Sequence, residues 1–215
     1  MDRDDYLAAM GIQQWQKKDK LAATTSVALP DAETMTAAWQ TLKNEAENCV
    51  ACGLHKTRTH VVFGVGHHSA DLLIVGEAPG ANEDKQGEPF VGRAGQLLNN
   101  MLQAIGLMRQ DIYIANILKC RPPQNRDPKT EEVALCTPFL ERQITLLQPK
   151  VILALGRIAA HFLLNSTASL ASMRGREFRY QDIPLLVSYH PAYLLRSPRE
   201  KRKSWQDLQR LQNYL

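Results

Sequence analysis

The sequence lacks an apolar run long enough to cross a membrane, and its first 20 residues have early acidic side chains without an apolar centre. These absences exclude a membrane span and argue against a signal peptide, so we expect a cytoplasmic protein. Internal repeats and low-complexity tracts are also missing. Neither sign of charge dominates, since the net charge is only +4. Such a mild basic balance suggests nucleic acid only weakly, because a solvated basic surface gives the same value.

Cysteine is scarce, and its spacing still carries information. The four cysteines begin with a C-x2-C pair, Cys49 and Cys52, and end with a C-x15-C pair, Cys120 and Cys136. Disulfides are rare in the cytoplasm, so a C-x2-C start favours metal or cluster ligation over four buried free thiols. Structural zinc more often uses two tight C-x2-C pairs, and the second is absent here. Thiolates suit either zinc or a [4Fe–4S] cluster, and their chemistry does not separate the two.

The composition and the apolar pattern predict one α/β domain. Of 215 residues, 44% are hydrophobic and 22% are charged, as in a soluble globular protein. Alternating strands and helices predict a three-layer α/β/α domain over 33–215, with a mostly parallel sheet of about four strands. The predicted strands are 71–75, 111–117, 150–155 and 184–189, and the predicted helices are 33–47, 93–107, 129–147, 156–164 and 200–214.

The residues that precede this domain have a different character. Residues 1–18, MDRDDYLAAMGIQQWQKK, have Met10, Ile12 and Trp15 among their apolar anchors, and residues 19–32 have the composition of a linker. We expect a docking peptide on a tether. An N-terminal helix packed on its own domain explains the same pattern equally well.

The stretch GEAPGANEDKQGEPFVGRAGQLL, residues 76–98, follows a predicted buried strand and leads into a predicted helix. Open α/β sheets place their ligand sites at such strand ends. The loop has four carboxylates and an aromatic ring but no Lys with Ser or Thr, so it suits a neutral ligand better than a phosphate. These side chains are Glu77, Glu83, Asp84, Glu88 and Phe90.

Two further strand ends carry polar side chains. Asn116 begins NILKCRPPQNRDP, and its amide offers both a donor and an acceptor for the pairing edge of a pyrimidine. A strand-end Asn that caps a turn is the ordinary alternative. Arg121 and Arg126 in the same loop suit phosphates. His190 and Arg196 lie in SYHPAYLLR, after the last predicted strand.

Together these segments resemble the family-4 uracil-DNA glycosylases, the iron–sulfur branch of their superfamily. The similarity rests on GEAPG…ED…G.PFVG.AG..L, NILKCRPPQNRDP, VILALGR (151–157), HPAYLLR and the four-Cys spacing. It implies excision of uracil from DNA by hydrolysis of its N-glycosidic bond. It also implies that Cys49, Cys52, Cys120 and Cys136 hold one structural [4Fe–4S] cluster.

The resemblance assigns a role to each site residue. Phe90 stacks on the extruded base, Asn116 binds its pairing edge, and His190 donates a hydrogen bond to a uracil oxygen. Ala78 stands where the best-known branch has a water-activating Asp, so Glu77 or the backbone must place the water. The implied uracil site comprises Glu77, Ala78, Pro79, Glu83, Phe90, Asn116 and His190, with Glu83 excluding the thymine methyl. The implied DNA contacts are a wedge, Leu194, and the cations Arg121, Arg126 and Arg196.

Two other functions fit these motifs. One is a weakly active relative that binds or cross-links uracil-containing DNA; the basic insertion of the cross-linking branch is absent. The other is a zinc-stabilised α/β nucleotide hydrolase. LAAMGIQQW in residues 7–15 is also similar to the N-terminal peptide of the psi subunit of the bacterial replicative clamp loader. We therefore expect a monomer that binds DNA and that docks on this clamp-loader partner.

Overall fold

The structure is a computed structural model and describes residues 32–215. The chain divides into two units, Met1–Asp31 and Ala32–Leu215. The predicted peptide 1–18 and nearly all of the predicted linker 19–32 lie outside the described residues. Ala32 already belongs to a helix, so the described domain begins one residue earlier than expected.

Helices occupy the positions that the sequence pattern predicts, together with three short ones that it misses. The missed helices have four to six residues, too few for a helical period to be read. In chain order the described helices are α1 (Ala32–Glu47), α2 (Ala81–Gln86), α3 (Arg93–Gln103), α4 (Thr130–Leu147), α5 (Arg157–Leu164), α6 (Leu170–Met173), α7 (Pro191–Arg196) and α8 (Lys201–Leu211).

The sheet has six strands in the described part of the chain, two more than the expected four. The strands are β1 (Val65–Gly66), β2 (Leu72–Gly76), β3 (Tyr113–Asn116), β4 (Val151–Leu155), β5 (Phe178–Tyr180) and β6 (Ile183–Ser188). Their order across the sheet is β1-β3-β2-β4-β6-β5. The added strands, β1 and β5, are two and three residues long and pair antiparallel at the two edges. The four strands between them are parallel.

Helices cover both faces of the sheet, as predicted. Alternate residues of one strand point to opposite faces, and in β2 Leu73 belongs to one buried cluster while Ile74 belongs to the other. The first cluster contains side chains of α1, α4 and α5, and the second contains side chains of α3 and α8. Burial on both faces explains why the central strands are near-continuous apolar runs in the sequence. No helix within residues 32–215 is long and apolar enough to cross a membrane.

The strand order also determines where a ligand can bind. From β2 the chain reaches β3 on one side, and later β4 pairs with the opposite edge of β2. In open α/β sheets the crevice at the carboxyl ends of such strands is the usual ligand site. Gly76, Asn116 and Ser188 are the last residues of β2, β3 and β6, so their following loops meet at this edge.

Candidate active site

A cleft of about 480 Å³ opens at the carboxyl edge of the sheet. It is built from the loops that follow β2, β3 and β6 and from residues of α3 and α7. The three motifs that the sequence placed at strand ends therefore meet in one site. The cleft is lined by Glu77, Ala78, Pro79, Gly80, Glu83, Phe90, Ala94, Asn116, Pro122, Asn125, Arg126, Asp127, His190, Ala192, Tyr193 and Arg196.

Gly76, the last residue of β2, allows two of these side chains to converge. A Cβ atom at this position would lie 2.3 Å from Asn116 Oδ1 and 2.8 Å from the Phe90 ring. Both distances are shorter than van der Waals contact, so any larger residue would displace the amide or the ring. Glycine is required here by the close approach of these two groups.

Phe90 is held in an unusual backbone conformation. Its φ angle is +54°, which is rare for a bulky residue and is found where the surroundings enforce it. Glu83 Oε1 accepts the backbone amides of Val91 and Gly92, each at 3.0 Å, and the Arg109 guanidinium donates to the carbonyls of Pro89 and Phe90. The ring is thus fixed as one wall of the cleft.

Asn116 is buried, but its side-chain amide has no hydrogen-bond partner within residues 32–215 and lines the cleft. Its main-chain carbonyl is occupied, because it accepts the Lys119 ammonium at 2.7 Å. An amide that is held in place and not bonded to the protein is available to a ligand. Asn116 therefore does not cap a turn through its side chain, and the ordinary alternative does not apply.

His190 lies beside Phe90, with the two ring centroids 5.4 Å apart and an angle of 29° between the rings. The Ala192 amide donates to His190 Nδ1 at 3.1 Å, so this nitrogen has no proton of its own. Burial, and then the charge of Arg196, lowers the pKa of His190 to about 4. At neutral pH the imidazole is therefore uncharged with its proton on Nε2, and Nε2–H has no acceptor within the described part of the chain.

Glu77 provides a carboxyl group whose pKa is raised well above the ordinary value. Burial, and then the negative charge of Asp127, raises its pKa to about 7, while Arg157 acts in the opposite direction. The Arg157 guanidinium itself lies 3.2 Å from Asp127 Oδ2. A carboxyl group that titrates near neutrality in a cleft is typical of functional sites.

The other carboxylates of the first loop do not all face the cleft. Glu83 lines it, as predicted, but also anchors the loop of Phe90. Asp84 is buried and accepts both the amide and the hydroxyl of Thr59 at 2.8 Å, which ties α2 to the preceding segment. Glu88 is exposed on the surface.

The three predicted DNA-binding cations differ in their surroundings. Arg196 is exposed at the cleft and has no ion-pair partner among residues 32–215. Arg121 donates to Asn125 Oδ1 at 2.8 Å. Arg126 forms a bidentate pair with Glu132, with N–O distances of 2.5 and 2.8 Å, so its guanidinium anchors the loop to α4. Arg126, which we expect to contact DNA, therefore already has a carboxylate partner in this structure.

The expected wedge, Leu194, does not lie at the surface of this structure. Leu194 is only 1% exposed, and it lines an apolar groove between α3 and α8 with Leu97 and Trp205. Its neighbours Tyr193 and Leu195 are each 37% exposed. The reason is helical geometry: α7 packs on α3, and position 194 lies on the face turned towards it.

The four cysteines line one cavity. Ala78 lines the cleft and also packs against the buried cluster that contains Cys120 and Cys136, so this cluster lies close to the cleft. Arg58 donates to Cys120 Sγ at 3.2 Å, and the Lys119 amide donates to Cys136 Sγ at 3.3 Å. Within residues 32–215 no three His, Cys, Asp or Glu side chains form a group suited to one metal ion.

Some residues of the site were not predicted from the sequence. Arg109, Asn125, Asp127 and Tyr193 either line the cleft or hold its walls. Asn125 and Asp127 are predictable in principle, because they lie in the NILKCRPPQNRDP segment, which forms part of the resemblance. Arg109 is not, since it lies 19 residues from Phe90 in the sequence and no pattern connects them.

Comparisons with known proteins identify the family of this chain. Residues 63–209 match the model of the uracil DNA glycosylase superfamily. A type-4 uracil-DNA glycosylase of Archaeoglobus fulgidus is 43% identical over 175 residues, which cover 78% of this chain and 88% of that protein. One of Thermotoga maritima is 44% identical over 158 residues, covering 73% and 82%. A type-5 enzyme of Pyrobaculum aerophilum is 31% identical over 146 residues, covering 60% and 64%. This chain therefore belongs to the uracil-DNA glycosylase superfamily and, within it, to the type-4 uracil-DNA glycosylases.

Proposed function

We propose that this protein is a monofunctional DNA repair enzyme that hydrolyses the N-glycosidic bond of uracil in DNA and leaves an abasic site. The observation that carries the proposal is the convergence of Phe90, Asn116 and His190 on one cleft. Recognition of a flipped pyrimidine requires an aromatic ring to stack on it and polar groups that can hydrogen-bond its edge. Phe90 provides the ring, and the unpaired amide of Asn116 and the neutral imidazole of His190 provide the polar groups. The names of the relatives point to the same substrate.

The substrate must leave the base stack before it can react, because the glycosidic carbon is inaccessible inside a duplex. Phe90 stacks on the extruded ring, and Asn116 binds its pairing edge. The backbone of residues 77–79 holds a pyrimidine oxygen, although Pro79 has no N–H to donate. Glu83 lies near the C5 position of the base and excludes the methyl group of thymine.

Charge develops on both fragments as the glycosidic bond lengthens. The leaving uracil becomes anionic, and the Nε2–H of His190 donates to its oxygen. A neutral imidazole with a fixed tautomer is suited to this role, because it donates without giving up its proton. A donor aimed at developing charge is worth about 10²–10³ in rate.

Glu77 acts on the sugar side of the bond in this proposal. Ala78 cannot activate water, whereas the Glu77 carboxylate beside it is ionised above a pH of about 7. The carboxylate orients the attacking water and stabilises the positive charge of the oxocarbenium-like sugar. Arg196 and Arg121 bind phosphates of the DNA on either side of the extruded nucleotide.

The membership in the type-4 family, the iron–sulfur branch, favours a [4Fe–4S] cluster over a single zinc ion, and the four cysteines that line one cavity are the residues that fit it. Cys49, Cys52, Cys120 and Cys136 would hold it, with Arg58 and Lys119 donating to the sulfurs. Its ligation would tie three distant segments together and so support folding.

The N-terminal segment has a separate proposed role. Residues 1–18 dock on a subunit of the replication clamp loader, and residues 19–32 tether them to the domain. The support is the isolated apolar block and its similarity to the psi peptide. We also propose that the enzyme acts as a monomer in the cytoplasm.

The test is an incubation of the purified protein with an oligonucleotide that contains one uracil, followed by alkali. We expect alkali-labile breaks at the uracil and none at a thymine in the same position. Uncleaved uracil strands that stay tightly bound to the protein would support the binding or cross-linking alternative instead.

A further inference from the structure

One aromatic side chain at the mouth of the cleft has no part in the mechanism above. Tyr193 lies on α7, lines the cleft and is 37% exposed. A large ring that is partly exposed beside a ligand site is a common recognition element, because it offers much contact area with few rotatable bonds.

The ring of Tyr193 is braced from behind. It contacts the Tyr189 ring, with centroids 5.0 Å apart and an angle of 39°. The Arg174 guanidinium lies 4.5 Å from the centroid of Tyr189 on the ring face, a cation–π contact. Tyr189 is itself buried. Tyr193 is therefore backed by a fixed neighbour rather than by solvent.

The contacts behind Tyr193 extend as far as the sheet. Arg174 donates to both carboxylate oxygens of Asp207, at 2.8 and 2.9 Å, and both side chains are 10% exposed or less. Asp207 also accepts the hydroxyl of Ser188, the last residue of β6, at 2.7 Å. Buried, bidentate pairs of this kind have defined geometry. The position of Tyr193 is thus connected, contact by contact, to the rigid edge of the sheet.

The neighbours of Tyr193 on α7 are unsuited to enter DNA. Leu194 is buried between α3 and α8. Leu195 is exposed but does not line the cleft, since two residues correspond to about 200° around a helix. Tyr193 alone on this helix combines an exposed apolar surface with a position at the cleft.

The charge around the helix matches a polyanion. Arg196 lies at the cleft, and the exposed side chains Arg199, Lys201 and Arg202 follow it directly. Phosphates of DNA bound to these cations would place the bases beside the Tyr193 ring.

We propose that Tyr193, and not Leu194, enters the stack of duplex DNA and occupies the space that the extruded nucleotide leaves; this inference rests on the proposed function. An aromatic ring can stack on any base, so the wedge does not depend on sequence. It is required only where a stack must be opened. Single-stranded DNA has no such gap to fill.

The experiment compares kcat/KM on one uracil-containing strand, alone and in a duplex. Wild-type activity on the single strand measures the proposed function by itself, whereas the duplex-to-single-strand ratio measures the role of Tyr193. We expect Tyr193→Ala to lower this ratio about tenfold or more, in line with the loss of one stacked base. Tyr193→Phe keeps the ring and should restore the ratio to within about twofold.

Two neighbouring variants serve as controls. Leu195→Ala, also on the exposed surface of α7, should leave the ratio unchanged. Leu194→Ala should lower the melting temperature and reduce both rates by a similar factor, because it opens a cavity. The proposal is overturned if Tyr193→Ala keeps the wild-type ratio, or if Leu194→Ala lowers the ratio while its melting temperature is unchanged.

Discussion

The Lys119 ammonium donates to the main-chain carbonyl of Asn116 at 2.7 Å, which joins the base-binding loop to the segment that bears Cys120. Lys119 is only 1% exposed, and its second partner is Gln143 Oε1 at 2.6 Å. Its own amide donates to Cys136 Sγ. No carboxylate among residues 32–215 pairs with it. One buried lysine therefore connects the cysteine cavity to the cleft through hydrogen bonds alone.

From this connection we predict that Lys119→Met lowers both stability and activity. The Asn116 carbonyl and the Gln143 side chain would each lose a donor, and a buried acceptor left unpaired costs about 1–3 kcal/mol. The melting temperature and the single-strand kcat are measured together. Lys150→Met is the matched control, because Lys150 forms an exposed pair with Asp71 and should change neither value. A Lys119→Met variant with wild-type kcat would show that the connection has no catalytic role.

Glu77 should make stability depend on pH in a defined direction. Its folded pKa of about 7 stands above the ordinary value of 4.5, so the bound proton stabilises the folded state. This contribution to the free energy of unfolding is fully present below pH 4.5 and is lost as the pH rises through about 7. Glu77→Gln should therefore gain melting temperature relative to wild type between pH 5 and 8. A net effect of about 1 kcal/mol after solvent screening corresponds to roughly 2–4 °C. An equal pH dependence of both proteins would contradict the raised pKa.

The same group should appear in the pH dependence of the reaction. If the ionised Glu77 carboxylate orients the water, the single-turnover rate rises with pH around a midpoint of about 7. In Glu77→Gln this rise should be absent and the rate low throughout. Glu88→Gln, an exposed carboxylate of the same loop, is the control and should keep the wild-type profile. A wild-type rate that is flat between pH 6 and 8 would remove Glu77 from this role.

The cysteine cavity predicts the metal content of the protein. Purified wild type should contain iron and sulfide in the proportions of one [4Fe–4S] cluster and absorb visible light near about 400 nm. Cys120→Ala should lose the colour and also solubility, since the ligands join distant segments. Stoichiometric zinc without iron or sulfide would favour the zinc alternative.

Deletion of residues 1–18 tests the docking peptide. We expect the melting temperature and the rate on a free oligonucleotide to stay at their wild-type values, while a clamp-loader subunit is no longer retained in a pull-down. Trp15→Ala should weaken that interaction by about 2 kcal/mol or more, since tryptophan is a typical hot-spot residue. If the deletion lowers both stability and rate, and the full-length protein retains no clamp-loader subunit, the peptide belongs to its own domain.

Much of the fold could be predicted because of how the central strands are buried. Strands such as β4, covered on both faces, are uninterrupted apolar runs, and the helices between them have clear periods. The edge strands β1 and β5 were missed because they are short and only partly buried. Asn116 and His190 could be placed at one edge of the sheet from strand polarity alone.

Two details of the site that the sequence does not show depend on tertiary packing. The pairing of Arg126 with Glu132 is decided by where the first turn of α4 lies, which no local pattern shows. The burial of Leu194 depends on the rotation of α7 against α3. A six-residue helix is too short for an apolar period to show this rotation. In the structure Tyr193 is exposed at the cleft and Leu194 is buried.

The most direct test concerns His190, whose neutral imidazole is proposed to stabilise the charge on the leaving uracil. The measurement is the single-turnover rate of uracil release by wild type and His190→Ala, with the DNA affinity of each protein determined in parallel. Because the donor acts on charge that develops only in the transition state, we predict a rate loss of about 10²–10³. The dissociation constant for DNA should change by less than about threefold, since the intact substrate gains little from this donor. A rate within tenfold of wild type, or a loss of affinity that equals the loss of rate, would contradict the account.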